Sequence, residues 1–238
     1  MSSPGLAQSP HVPDSVAHGF SRWQHLALVL WVSLAIPILG SAYYSLSGIT
    51  PTYQSYRLWG GLVSEINGLL VLFYVMRNQG KSWSLLGLKP SFVDVWRAFV
   101  LFLLATAAQW IVYIPAQFLY RACSGQFLTP KSINSLFAFG ISTVSIAFVC
   151  LNPFFEELIV RAYTMSELMD SGINRTLAIA ISVAIQLSYH LYQGLANVLS
   201  LAILFAVMSI YYARTRRIIP IILVHLGFDL AALFKANL

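Results

Sequence analysis

Residues 176–213 read TLAIAISVAIQLSYHLYQGLANVLSLAILFAVMSIYYA, a run of 38 residues without one Asp, Glu, Lys or Arg. A single helix of that length would be about 57 Å long, nearly twice the ~30 Å hydrocarbon core of a bilayer. The run therefore has to cross, turn and cross back, and Tyr192-Gln193-Gly194 is the natural place for the turn. A crossing needs about 20 apolar residues. On that basis spans fall near 23–44, 58–76, 98–120, 133–155, 176–193, 194–213 and 218–234. The expected fold is all-α, a polytopic membrane helical bundle of about seven transmembrane helices.

The composition agrees. Of 238 residues 58% are hydrophobic, the mean hydropathy is +0.73, and 9% are charged, where a soluble domain carries roughly 25%. A soluble enzyme and a disordered chain are both excluded. The net charge of +6 comes from 14 basic residues scattered between apolar runs. They form no basic stripe, so nucleic acid is not an expected partner and the lipid bilayer is. Cys123 and Cys150 make neither a disulfide framework nor a zinc knuckle. Residues 1–22, rich in Ser and Pro, read as a disordered cytoplasmic tail without a cleavable signal peptide. Residues 23–130 read as N-terminal membrane spans and 131–238 as the catalytic helical core. The fourth span is expected to run on past Asn152-Pro153, with a kink there, to about Asp170. Lys81–Pro90 looks interfacial, with Trp83 at headgroup level.

Seven spans put Arg22, Arg77, Lys81, Lys89, Arg97, Arg175, Arg214, Arg216 and Arg217 on one side and Arg57, Arg121, Lys131 and Lys235 on the other. The richer side is expected to be cytoplasmic, which places the N-terminus inside and the C-terminus outside. The expected setting is a prokaryotic inner membrane.

Ionisable groups inside spans cost roughly 2.5–3.5 kcal/mol each, so they point to function. Glu156, Glu157, Arg161, His190, His225, Asp229 and Glu65 all lie in apolar stretches. Glu157 and Arg161 are four apart and suited to an ion pair, while Glu156 points about 100° away. One reading divides labour between a structural pair, Glu157–Arg161, and a base, Glu156. The other has both acids sharing Arg161 as packing glue. His225 and Asp229 share a helix face with Gly227 between them. His190, taken alone, reads equally well as a packing residue. Glu156 lies 14 residues from Asp170, His190 15 from Arg175, and Asp229 and His225 12 and 8 from Arg217. At 1.5 Å per residue these depths overlap, between about 12 and 22 Å. Two carboxylates and two histidines at one depth fit water activation, and equally a proton or ion pathway. Glu65, with Asn67, falls outside any such constellation and reads as a buried, hydrogen-bonded acid or one facing a wet cleft.

No His-Glu-x-x-His motif is present, nor a Gly-x-Ser-Gly or a Gly-x-Gly-Asp; Gly140-Ile-Ser142 is followed by Thr143. The motifs that are present are Glu156-Glu157-x-x-x-Arg161, then His190, then His225-x-x-x-Asp229, the last reached through Tyr211-Tyr212-Ala-Arg214-Thr-Arg216. In this order and spacing, over about residues 145–235, the chain resembles the CPBP (CAAX-processing and bacteriocin-processing, or Abi) family of intramembrane endoproteases. Ser182 agrees with the family. Gln186 stands where the family usually has Phe, Ala162 where it has Gly, and Asp229 where it more often has Asn. None of these departures removes an ionisable group.

The resemblance implies a CAAX-protease-like intramembrane endopeptidase acting on a membrane-associated protein or peptide. Glu156 would activate water, Glu157–Arg161 would be the structural pair, and His190, His225 and Asp229 the polarising group. The family is classed with metalloproteases, and zinc held by His190, His225 and Asp229 is a chemically reasonable alternative. Against it, His225 and Asp229 sit at i and i+4 of one helix, and a water held by Glu156 and the imidazoles needs no cofactor. Metal-free chemistry is the expectation. The rival classes are a catalytically inactive scaffold or bacteriocin-immunity protein, and a proton-coupled transporter, for which the expected repeat symmetry is absent.

Overall fold

A computed structural model describes residues 20–49, 55–131 and 140–237. Most of the expected N-terminal tail and the start of the expected fourth span lie outside them. The described residues form seven helices: α1 (Arg22–Ser47), α2 (Ser55–Asn78), α3 (Val93–Ser124), α4 (Thr143–Asp170), α5 (Arg175–Ser188), α6 (Leu195–Thr215) and α7 (Ile219–Ala236). All but α5 are long and apolar enough to cross a membrane. The chain is a polytopic helical membrane bundle.

Helix starts follow their caps. Ser21 and Gln24 close a capping box on α1, Ser142 and Ser145 close one on α4, and Asn174 caps α5. Ser142 is thus an N-cap, with its hydroxyl committed to the backbone of Ser145. The charge-free run does fold back, through a short 3-10 turn at Leu191–Gln193 that ends at Gly194. Gly194 has φ +83°, which a side chain would strain. The expected fifth span is shorter than its hydropathy implied. α5 stops at Ser188, about 21 Å from its start. His190 therefore sits in the turn, at the end of the helix rather than along it. Pro153 does not end α4, which continues to Asp170.

The basic residues gather as the span count required. At one end Arg22 and Lys81 pair with Glu167, Arg216 with Asp170, and Arg97 and Arg217 with Asp94. At the other, Arg57 bonds Tyr44 and Lys131 bonds the Tyr192 carbonyl. α4 is the centre of the bundle. It packs on α2, α5 and α7, and α3 lies against α6 and α7. Outward residues such as Trp31, Ile36, Leu46 and Ile111 are exposed, as a lipid-facing surface requires.

Candidate active site

The middle of α4 is a π-helical stretch, Glu157–Tyr163, buried at every residue. A π turn is rare and costs α-type hydrogen bonds, and it recurs at functional sites. Here hydroxyls compensate. Thr164 donates to the Ile159 carbonyl at 2.8 Å, Ser182 to Val160 at 3.0 Å and Tyr212 to Ala162 at 3.1 Å. Ser182, which agrees with the family pattern, thus anchors α5 to the widened turn.

Arg161 and Glu157 are both fully buried and form an ion pair. Arg161 also donates to Gln186 Oε1 at 2.5 Å and Ser209 Oγ at 3.2 Å, and lies over the Phe205 ring. One guanidinium so ties α4 to α5 and α6. Glu157 has a second partner that the spacing did not disclose: its Oε1 is 2.8 Å from His225 Nδ1. A carboxylate there accepts from Nδ1–H and leaves His225 Nε2 facing Asp229 Oδ2, 3.6 Å away.

Glu156 faces α5 and the turn that follows it. Its Oε2 accepts from Gln186 Nε2 at 3.1 Å and lies 3.8 Å from His190 Nε2. Gln193 Nε2 sits 2.9 Å from His190 Nδ1. An amide N–H donating there fixes the tautomer with its proton on Nε2, aimed at Glu156. Gln186 thus replaces the family's usual Phe with an amide that links Arg161 to Glu156. Asp229 and His190 are the most open members, with side chains 18% and 15% exposed.

All four expected catalytic residues, Glu156, His190, His225 and Asp229, therefore border one region around α4. Two further residues join them. The Asn152 amide lies 3.3 Å from Asp229 Oδ2 at one end, and 3.2 Å from Glu156 Oε1 and 3.0 Å from Glu65 Oε1 at the other. The sequence offers Asn152 only as a kink, and Glu65 as a buried, hydrogen-bonded acid or one facing a wet cleft, outside the constellation; the structure makes it a buried acid beside Asn152. No single-helix pattern could have joined them, because the contact depends on how α2 and α4 pack. The zinc alternative asks His190, His225 and Asp229 to converge. Among the described residues no three His, Cys, Asp or Glu side chains form a metal-holding group, and Glu157 on His225 Nδ1 leaves Nε2 as that ring's free nitrogen.

The fold and site define a membrane-embedded helical bundle in which carboxylates and imidazoles from several helices gather around one π-turned helix. Residues 138–231 match the family model described as type II CAAX prenyl endopeptidase Rce1-like. That segment carries all three motifs, and over it the chain is similar to the CAAX-protease family. No curated protein and no solved structure matches the chain.

Proposed function

We propose that this protein is an intramembrane endopeptidase that hydrolyses a peptide bond of a membrane-associated protein or peptide with a glutamate-activated water. The observation that carries the reading is the 3.8 Å separation of Glu156 Oε2 and His190 Nε2. It is too long for a direct hydrogen bond and short enough for both atoms to reach one oxygen. A water between them gives a proton to Glu156 as its oxygen attacks the scissile carbonyl. The proton then passes from Glu156 to the leaving amine. His190 Nε2–H lines the region where the carbonyl oxygen becomes negative, and His225, with Asp229 beside its Nε2, borders it. Glu157, neutralised by Arg161, fixes the His225 ring. No metal takes part in this reading.

The matched family model is described as a prenyl endopeptidase, so a prenylated peptide serves as the first probe, while in a prokaryotic membrane the natural substrate is another membrane-associated protein or peptide. The basic end of the bundle is cytoplasmic in this reading, in a prokaryotic inner membrane, and cleavage falls in the cytoplasmic half of the bilayer. The test is purified full-length protein treated with a strong chelator and given an internally quenched peptide with a farnesylated C-terminal cysteine. Cleavage that survives chelation is expected. Cleavage that disappears and returns only with stoichiometric zinc overturns the metal-independent mechanism.

A further inference from the structure

Glu65 lies on α2, outside the three motifs, and helix packing delivers it to Glu156. Gly61 and Gly68 form notches on α2. A Cβ at Gly61 would sit 2.6 Å from the Phe148 ring, and one at Gly68 2.6 Å from the Phe155 ring. α2 and α4 run in the same direction, and the register that pairs 61 with 148 and 68 with 155 also pairs Glu65 with Asn152. The glycines let the two backbones approach closely, as small residues do between membrane helices. Glu65 is accordingly buried, at 5% exposure.

The Asn152 amide then touches three carboxyls from three helices: Glu65 on α2, Glu156 on its own helix and Asp229 on α7. An amide has donors at one end only. Whichever way it sits, its carbonyl oxygen meets a carboxyl oxygen, that of Asp229 when its donors face Glu65 and Glu156 and those of Glu65 and Glu156 when it is turned round, so a proton is needed among the three. Two carboxylates sharing an amide in an apolar bundle do not both ionise either. Glu156 has Gln186 and His190 beside it, and Asp229 has His225. Glu65 has no cation or imidazole at salt-bridge distance among the described residues, and its buried Oε2 has no hydrogen-bond partner there.

We propose that Glu65 is a positioning residue of this site: as a neutral acid it holds the Asn152 amide, and Asn152 holds the Glu156 carboxyl toward His190. This role rests on the endopeptidase reading, but the proton on Glu65 does not. A neutral carboxylic acid offers a donor and an acceptor, and so does a glutamine amide. Gln is therefore the substitution that preserves the arrangement, whereas Leu removes both.

The test uses the full chain in nanodiscs, with two readouts. Infrared spectroscopy should show a buried carboxylic-acid C=O band in the parent that Glu65→Gln removes. With the farnesylated quenched peptide, Glu65→Leu should lower kcat about tenfold or more with little change in KM, and Glu65→Gln should recover most of that loss. An acid band untouched by Glu65→Gln, a Glu65→Leu enzyme as fast as the parent, or a Glu65→Gln enzyme as inactive as Glu156→Gln would each overturn the proposal. The infrared readout needs no substrate. If the parent cleaves nothing, the endopeptidase reading fails while the band still decides whether Glu65 holds the proton.

Discussion

Gln186 Nε2 donates to Glu156 Oε2 at 3.1 Å while Gln186 Oε1 accepts from Arg161 at 2.5 Å. One amide so couples the expected base to the buried guanidinium of the structural pair. Removing it strands a donor on Arg161 and an acceptor on Glu156 in a dry interior. Gln186→Leu is therefore expected to cost about 1–3 kcal/mol of stability, the penalty for an unpaired buried polar group, and to lower kcat as well. Thermal unfolding in detergent checks the first. An unchanged Tm contradicts the bridging role.

Glu157 and Arg161 are both without exposure, and each is the other's charge partner. Glu157→Ala leaves the buried Arg161 without its carboxylate, and Arg161→Ala leaves the buried Glu157 only its contact with His225, each at a cost of about 3–5 kcal/mol. Both variants should give low folded yield by size-exclusion of the solubilised protein. Glu156→Ala and His190→Ala should insert and fold normally while losing proteolysis. The opposite pattern would mean that the two glutamates have exchanged roles.

The Gly68 notch is filled by Phe155 and bordered by Ser33 of α1, whose Oγ is 2.8 Å from where a Cβ would be. Gly68→Leu pushes α2 away from α4 and should cost at least the ~1–3 kcal/mol of ordinary overpacking. Gly60, which has nothing within 4 Å, should accept Ala with a change in Tm too small to resolve. Equal effects at the two positions would contradict the packing register that brings Glu65 to Asn152.

Orientation is checked by cysteine accessibility. A cysteine placed at Arg214, in the basic end, should be labelled only from the cytoplasmic side. Labelling from outside intact cells would invert the topology.

Much of this was legible in the sequence, for identifiable reasons. Charges are so sparse that each intramembrane carboxylate and histidine stood out, and the 38 charge-free residues could only fold back. The segregation of basic residues followed from the span count. What stayed hidden depends on contacts between helices. No charged residue follows Ser188 before Gly194, so the early end of α5 leaves no mark in the charge pattern. The π stretch in α4 is stabilised by hydroxyls from Ser182 and Tyr212, far apart in sequence. Glu65 looked isolated because its partner is set by two glycine notches on α2, and nothing in one apolar helix states which neighbour will fill them.

The most direct test of the central claim compares the initial cleavage rate of Glu156→Gln with that of the parent on the farnesylated peptide, both folded in nanodiscs. Glutamine keeps the size and accepts a hydrogen bond, but it cannot take a proton from water. General-base catalysis contributes about 10²–10⁴-fold, so the account predicts a rate at least a hundredfold lower, with peptide binding retained. A Glu156→Gln protein that cleaves at the parent rate would contradict it.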